Sequence, residues 1–494
     1  FDGNVVMRSA NLNEVVHWLR PGSGAFAETV PGAVALNGAL RVRPKKFDLS
    51  NASVDIAGER LDGSFAYDAT PARPRLTADL ETAAFDLSRL ARDLLDPGVL
   101  AVKLGFTDVG AIPAAAGEAA RLFDGMDLTL KVRARKLTDG RRTFKHVHAD
   151  LDRIGDRLTI RRLDLDWQPG VKLALSGELD GLGTAAAGKL KATIAAAGDT
   201  SATHLAGLLS RVLGENVPAA PLIARAPFRL AIDATLGGAS TASPDQANYP
   251  TIIVADGTTP TGRLRLTART AGALGGWREQ TAHIDAHIAG AEPLDVAGWI
   301  LGSTAEPGQK AAGSPAKRKG GSPKRPPATA LISLIGKPMK AMKTVARFGA
   351  GEMLAADFSG TVSLMPGTAL AARWSGDLKL AQADTRILSE LLWPPLADRI
   401  AALPVSGHVA LAGGSSDLVI EPQRLQMAES RLTGSLKLSP QRALSGKLAV
   451  SKVPLDVLSA LLLARDGADS GNAEAGRGRN APDDPAASLP LSLI

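Results

Sequence analysis

The chain lacks several features on which common classes of protein depend. It has no cysteine among its 494 residues, which excludes disulfides, thiol catalysis and thiolate metal sites. No apolar run approaches the roughly 18 residues that a membrane-spanning helix needs. Aromatic residues make up only 4% of the chain, so several compact cores built on bulky side chains are not expected.

The remaining composition points to a folded chain rather than a disordered one. Apolar residues make up 45%, and the length fits two to four ordinary domains or one elongated repetitive domain. The net charge of +7 suits anionic partners such as nucleic acid or phospholipid headgroups. Residue 1 is Phe within a strand-like pattern, so we expect a piece of a longer protein whose targeting or anchoring segment is not in this sequence.

A strand that runs into a short helix recurs six times along the chain. Each copy begins with apolar–polar alternation and changes to helical spacing, as in "GKLAVSKVPLDVLSALLLA". Asp, Asn, Ser or Thr stands at each change, and these residue types cap helices. Scattered catalytic acids are the alternative, but no copy adds a partner base. The copies lie at 3–19, 76–95, 188–213, 283–301, 376–392 and 446–464.

Between the copies the chain has the periodicity of strands. In 126–180, apolar residues alternate with charged ones, and turns are indicated at Thr138-Asp139-Gly140 and Gly155-Asp156. Such strands have one apolar and one charged face. We therefore predict a mainly β fold (β-rich α+β): an elongated antiparallel β-sheet, a meander of repeated units curved into a groove, with short amphipathic helices capping the repeats.

Two stretches interrupt this pattern. Residues 303–330 are rich in Gly, Pro, Ser and Lys without periodicity, which predicts a disordered basic linker. We expect 1–302 to be a repetitive β-groove region with short helices and 331–464 to continue the β/short-helix repeats. Residues 465–494 are predicted to be a disordered tail that ends in the start of a truncated strand.

One segment approximates a phosphate-binding loop. Gly183, Gly188 and Lys189 have the required spacing, but Leu190 stands where Ser or Thr would hold magnesium. The residues that follow alternate as a strand, whereas the phosphate site needs a helix N-terminus. A hairpin turn is the better interpretation, and the G-x-S-x-G motif of α/β hydrolases does not occur.

Two histidine pairs share strands, His146 with His148 and His283 with His287. A zinc site needs three or four convergent ligands, and no acidic cluster is placed to complete either pair, so solvent-facing histidines are expected. The basic run at 317–325 lacks the interleaved aromatics and reader module of a nucleic-acid site. A solvated linker is the default interpretation, and contact with an anionic membrane surface is the other. We predict no enzymatic activity, no cofactor, no metal and no nucleic-acid partner.

The repeated unit, the one-sided strands and the scarcity of aromatics resemble the AsmA family, large envelope proteins of Gram-negative bacteria related to TamB. "FDGNVVMRSANLNEVVHWL", "LNGALRVRPKKFDLSNASVDIAGERLDGSFAYD" and "RPRLTADLETAAFDLSRL" carry the resemblance. It covers most of 1–302 and, less closely, 350–464. It implies periplasmic location, tethering to the inner membrane through an N-terminal helix that this sequence does not contain, and a role in outer-membrane assembly or phospholipid transport.

An apolar sheet face with few bulky side chains above it leaves room for acyl chains. We therefore expect a non-enzymatic protein that binds or conducts phospholipids along a groove. A structural or adhesive β-repeat protein with a closed core and no lipid transport is the alternative, and an enzyme is a third class without a supporting constellation. Protein partners are not indicated. The lipid-groove candidates are Leu128, Leu130, Val132, Leu158, Ile160, Leu163, Leu165 and Trp167.

Overall fold

The computed structural model is almost entirely β-structure. Its described part contains twenty-three strands and no defined helix. The structure describes residues 1–10, 33–56, 58–86, 125–139, 142–167, 170–181, 187–198, 227–237, 251–259, 262–272, 277, 279–290, 327–364, 372–385, 388, 403–414, 418–438 and 444–452.

The chain divides into two units. Unit 1 comprises Phe1–Gly214, Leu222–Pro260 and Thr267–Trp277, and unit 2 comprises Glu215–Pro221, Thr261–Leu266 and Arg278–Ile494. The strands of unit 1 are β1 (Asp2–Ser9), β2 (Val34–Arg43), β3 (Lys46–Ile56), β4 (Glu59–Asp68), β5 (Arg75–Thr82), β6 (Phe85–Asp86), β7 (Asp127–Asp139), β8 (Arg142–Ile154), β9 (Arg157–Trp167), β10 (Val171–Asp180), β11 (Ala187–Ala196), β12 (Phe228–Leu236) and β13 (Thr251–Thr259).

Strand β14 (Gly262–Thr270) has residues in both units. The strands of unit 2 are β15 (Ala282–Gly290), β16 (Ala328–Lys337), β17 (Ala341–Ala350), β18 (Leu354–Leu364), β19 (Ala372–Asp384), β20 (Pro404–Gly413), β21 (Leu418–Met427), β22 (Ser430–Leu438) and β23 (Leu444–Val450).

Each unit is a meander in which successive strands pair antiparallel. This holds for β1 to β5, for β7 to β13 and for β15 to β23. The exception is β7, which pairs in parallel with β5 and β6. A parallel pair needs a crossover of a dozen or more residues, and residues 87–126 supply it. The predicted mainly β meander is therefore confirmed, and its described strand pairings are antiparallel apart from those of β7 with β5 and β6.

The segments of the chain that were predicted to contain helices leave the sheet at one edge of each unit. In unit 1, β1, β6 and β11 end at this edge, because Ser9 pairs with Val34 and Ala196 with Phe228. In unit 2, β15, β19 and β23 end together in the same way. We name this line of strand ends the insert edge; the term does not refer to an edge strand of the sheet. The opposite line of strand ends, which carries the β2–β3, β4–β5 and β8–β9 turns, is the turn edge.

Most residues of the six predicted helices lie outside the described residues. Thr385 and Leu388, in the copy at 376–392, have helical backbone, and Leu388 packs against the buried cluster that contains Ala356, Leu380 and Val405. The Thr385 hydroxyl accepts a hydrogen bond from the Leu403 N–H at 2.9 Å. Thr385 therefore helps to join the two ends of the insert between β19 and β20.

The predicted linker at 303–330 lies between two strands that pair with each other. Gly290 and Ala328 are direct partners in β15 and β16, so the chain leaves and re-enters the sheet at one point. Strand β16 begins at Ala328, within the last three residues of the predicted linker. Residues 303–326 of the linker and the whole tail at 465–494 lie outside the described residues.

Glycines in mid-strand allow neighbouring strands to approach closely. Gly177 of β10 has a φ of 148°, and a Cβ there would lie 2.1 Å from the Lys189 carbonyl oxygen. Gly63 of β4 has a φ of 157°, and a Cβ at this position would lie 1.9 Å from the Asp79 carbonyl oxygen. Glycine kinks of this kind are a device that curves a β-sheet.

We expect Gly177→Ala to lower the free energy of unfolding by about 1–3 kcal/mol, because the side chain is strained at this φ and overlaps a carbonyl. Gly198→Ala is the matched control, since a Cβ at Gly198 meets no atom within 4 Å. Its change should stay within about 0.5 kcal/mol. Urea unfolding measures both, and equal stability of the two variants would contradict the strained geometry.

Candidate functional site

The main surface feature of unit 1 is an apolar sheet face without charge across its middle. Residues that are direct partners on adjacent strands point to the same face, so the pairing defines rows that cross the sheet. One row crosses twelve strands: Gly3, Leu40, Leu49, Phe65, Ala78, Leu130, Leu151, Ile160, Gly177, Leu190, Ala234 and Ile253.

All eight lipid-groove candidates lie on this face. Leu130 and Ile160 belong to the row just described, and Val132 and Leu163 to the next one, through Ala149. The row through Leu130 has a second neighbour, on the side away from Val132, and that row joins Leu128 to Arg153 and Leu158. Leu165 pairs with Leu173, and Trp167 pairs with Phe144 and Val171.

The candidates are only partly shielded from solvent. Ile160 is buried, with 8% of its surface exposed, and the other seven are half-buried. The buried clusters of unit 1 lie at the ends of the strands or in β2 to β4. One contains Phe85, Leu137 and Phe144 at the insert edge, and another contains Leu179 and Leu236 at the turn edge. Leu165 and Trp167 pack against the first cluster and Leu158 against the second. In the middle of the apolar face, Leu130, Val132 and Leu163 keep part of their apolar surface accessible.

Unit 2 has an apolar face of the same kind. One of its rows crosses seven strands: Ala286, Ile332, Ala346, Phe358, Leu378, Val409 and Pro422. The neighbouring row contains Ile288, Ala330, Phe348, Ala356, Leu380, Gly407 and Leu425. Neither row contains a charged residue among these partners. The repeats of unit 2 were predicted from the same apolar–polar alternation as those of unit 1. The apolar faces of the two units therefore follow from one sequence pattern.

The opposite face of unit 1 carries the charge. Arg133 of β7 reaches Asp79 of β5 at 3.0 Å, and Arg41 of β2 reaches Asp2 of β1 at 2.9 Å. Arg161 of β9 binds both Asp150, at 3.0 Å, and Asp152. Exposed ion pairs contribute about 0–1 kcal/mol each. Their main consequence is that an apolar ligand on this face would have to remove charged groups from water, which costs free energy.

Ionisable groups also line the turn edge. Hydrogen bonds from Lys46 and Thr70 lower the pKa of the Asp68 carboxyl to about 2. The Gly155 N–H, at 2.9 Å, and Arg73, at 3.2 Å, bind Asp127 and lower its pKa. The Arg157 guanidinium has a raised pKa because it binds Asp180. At this edge, Asp68, Asp127 and Asp180 are therefore paired with Lys46, Arg73 and Arg157.

One polar cluster in unit 2 was missed by the sequence analysis. His283 Nε2 lies 3.0 Å from Asp285 Oδ1 and 3.3 Å from Ser333 Oγ, and Ser333 Oγ donates to Asp285 Oδ1 at 2.9 Å. In a Ser-His-Asp triad the acid and the serine contact different ring nitrogens, whereas here both contact Nε2. The alternation of His283 and Asp285 could have indicated a pair, but Ser333 lies 50 residues away from His283 in sequence.

The other predicted features take ordinary places in the sheet. Gly188 and Lys189 lie in strand β11, which confirms that a strand and not a helix follows the loop-like segment. His146 binds Asp166 at 2.9 Å on the surface, and His148 pairs with Asp164 in the ladder. Within the described residues, no group of three or more His, Asp or Glu side chains could hold a metal ion.

Comparison with protein-family models, with curated proteins and with solved structures finds no match. The described part of the chain contains no helix that is long and apolar enough to cross a membrane.

Stability should fall in acid partly because of Asp68. Its folded-state pKa is lowered, so its contribution is present above the ordinary value near 3.8 and is lost as the pH falls through about 2. We expect Asp68→Asn to flatten the fall in the urea midpoint between pH 4 and pH 2. Asp156→Asn in the exposed β8–β9 turn is the control. An unchanged pH dependence in Asp68→Asn would show that Asp68 is not linked to folding.

Proposed function

We propose that this protein is a non-enzymatic envelope protein that binds or conducts phospholipids, with their acyl chains along the apolar face of its sheet. We place it in the periplasm, tethered to the inner membrane, where it supports outer-membrane assembly as a protein of the AsmA kind. The resemblance of the repeats to that family supports the location, and the apolar face supports the ligand.

The observation that carries the proposal is the contrast between the two faces of unit 1. The row through Leu130 and Ile160 contains only apolar residues and glycine across twelve strands, while the opposite face carries ion pairs. Seven of the eight candidates remain half-buried in the folded chain. An apolar surface that is both continuous and accessible is the chemistry that an acyl chain needs.

The packing of the buried residues also favours a ligand over a closed protein core. Among the described residues, the members of each buried cluster come from nearby strands of one sheet face, as with Val34, Leu49 and Val54 of β2 and β3. A sandwich core would instead combine residues of two facing sheets. Each methylene of an acyl chain that leaves water for such a face gains about 0.8 kcal/mol.

The direct test is lipid extraction from the full 494-residue chain after expression in bacteria. We expect mass spectrometry of an organic extract to detect phospholipid above the level of a control protein. Leu175→Asp should reduce this lipid strongly, because Leu175 pairs with Leu163 and Ala192 on the apolar face. A buried charge there would cost several kcal/mol.

Ser176→Asp is the matched control, since it is the next residue of β10, on the charged face opposite Lys191. It should leave lipid capture unchanged. Circular dichroism of each variant separates lost binding from unfolding. If the folded wild-type chain extracts no lipid, a structural β-repeat protein with a closed core becomes the better account.

A second readout avoids adding charge. Because the chain has no cysteine, a single cysteine can carry a photoreactive benzophenone at either position. We expect Leu175→Cys to form a cross-link to phospholipid and Ser176→Cys to form none. Equal cross-linking from both faces would contradict binding on the apolar face.

A further inference from the structure

One carboxylate stands on the apolar face of unit 1 where that face meets the insert edge. Glu59 is the first residue of β4 and the direct partner of Ile56 in β3. Ile56 pairs in turn with Val34 of β2, which is buried. Leu61, the next residue of β4 on the same face, pairs with Val54. Glu59 therefore belongs to the apolar set of side chains although it carries a charge.

The surroundings of Glu59 are apolar. Ile56 and Leu61 pack against the buried cluster that contains Phe85 and also against the one that contains Leu49. Glu59 itself is half-buried. A carboxylate that is partly withdrawn from water among apolar groups loses hydration free energy, unless a cation or a hydrogen-bond donor takes the place of the water.

The part of the chain that the structure describes supplies no such partner. No residue there donates a hydrogen bond to the Glu59 carboxylate or lies within ion-pairing distance of it. The adjacent base, Arg60, binds Asp62 on the opposite face at 2.9 Å. A metal ion would need several convergent ligands, and the described residues contain no group of three or more His, Asp or Glu side chains that could hold one. The cation that fits Glu59 is therefore one that a single carboxylate can bind, such as an ammonium group.

We propose that the Glu59 carboxylate binds the primary ammonium group of a phospholipid headgroup, as in phosphatidylethanolamine. Headgroups then lie at the insert edge, and acyl chains run from there towards the turn edge. This inference rests on the proposed function and adds the headgroup class and the orientation of the ligand. An ammonium group offers three N–H donors, and a hydrogen bond between ionised partners is roughly twice as strong as a neutral one.

The apolar face beyond Glu59 is long enough for an acyl chain. Along β4 it continues through Leu61, Gly63, Phe65 and Tyr67, which are all half-buried. From Glu59 to Tyr67 the strand spans roughly 26 Å, compared with about 15 Å for the acyl layer in one half of a bilayer. A lipid whose ammonium group lies at Glu59 therefore has room for its acyl chains on the same face.

The test compares two lipids that share the phosphate and the acyl chains but differ in the amine. The full chain is incubated with vesicles of dioleoyl phosphatidylethanolamine and dioleoyl phosphatidylglycerol in equal amounts, recovered, and extracted for mass spectrometry. We expect the wild type to be enriched in phosphatidylethanolamine relative to the vesicles. Glu59→Gln keeps the size of the side chain but removes its charge. It should lower this enrichment about fivefold while lipid is still taken up.

Two further variants make the result specific. Glu59→Asp should retain part of the enrichment, because the charge remains on a shorter side chain. Glu81→Gln should leave it unchanged. Glu81 lies close to the same edge in β5, but it pairs with Asp62 on the charged face and lies 3.9 Å from Arg133. Circular dichroism and thermal unfolding confirm that each variant is folded.

The outcomes separate the two proposals. A wild-type chain that takes up neither lipid overturns the proposed function. Uptake of both lipids in the ratio of the vesicles, or an enrichment that Glu59→Gln does not alter, overturns the role of Glu59 and leaves the apolar face as the binding surface. A loss of enrichment in Glu81→Gln equal to that in Glu59→Gln also overturns it, because the general negative charge of the edge would then explain the selection against the anionic lipid.

Discussion

The structure depends on the alternation of side chains across the strands, which separates an uncharged face from a charged one. Because successive residues of a strand point to opposite faces, a slip of one residue would exchange the two sets. The pairing keeps the two sets on separate faces even where the strict alternation along a strand is interrupted. Ile160 and Leu163 are three residues apart, yet both lie on the apolar face, because the ladder shifts register between them. Asn51, with a φ of 49°, lies in a similar shift between Leu49 and Ala52.

The same separation explains how a chain with few aromatics folds. Leu, Val, Ala and Gly fill the apolar rows, and the glycines let adjacent strands approach where Gly177 faces Ile160. The deeply buried residues lie mainly towards the strand ends, as with Val171 at 2% and Ala196 at 1% exposure. Seven of the eight lipid-groove candidates are only half-buried. A surface of this kind is completed by a ligand or by another part of the chain, and the proposed function selects the ligand.

Much of the sheet could be predicted from the sequence, because alternation is a local property. The strands around 126–180, their turns and the shared face of Leu158 and Ile160 follow from counting residues, whereas Leu163 and Trp167 share that face only through the register shift in β9. The parallel pairing of β7 with β5 could not be predicted, since it depends on where residues 87–126 return the chain. The position of Arg153 opposite Leu128 could not be predicted from the sequence either, because it depends on the register between β7 and β8. For the same reason, Ser333 could not be placed beside His283 before β15 and β16 were paired.

The most direct measurement is methyl NMR of the full chain with a phospholipid that carries a nitroxide in its acyl chain. Unit 2 supplies an internal control, because Leu331, Ile335 and Val345 are 47%, 47% and 49% exposed on the face opposite its apolar rows. We expect the nitroxide to broaden the methyl signals of Leu130, Ile160 and Leu165 and to spare those of the three control residues. Broadening that followed exposure alone, strongest at Leu331, Ile335 and Val345, would contradict binding of acyl chains to the apolar face.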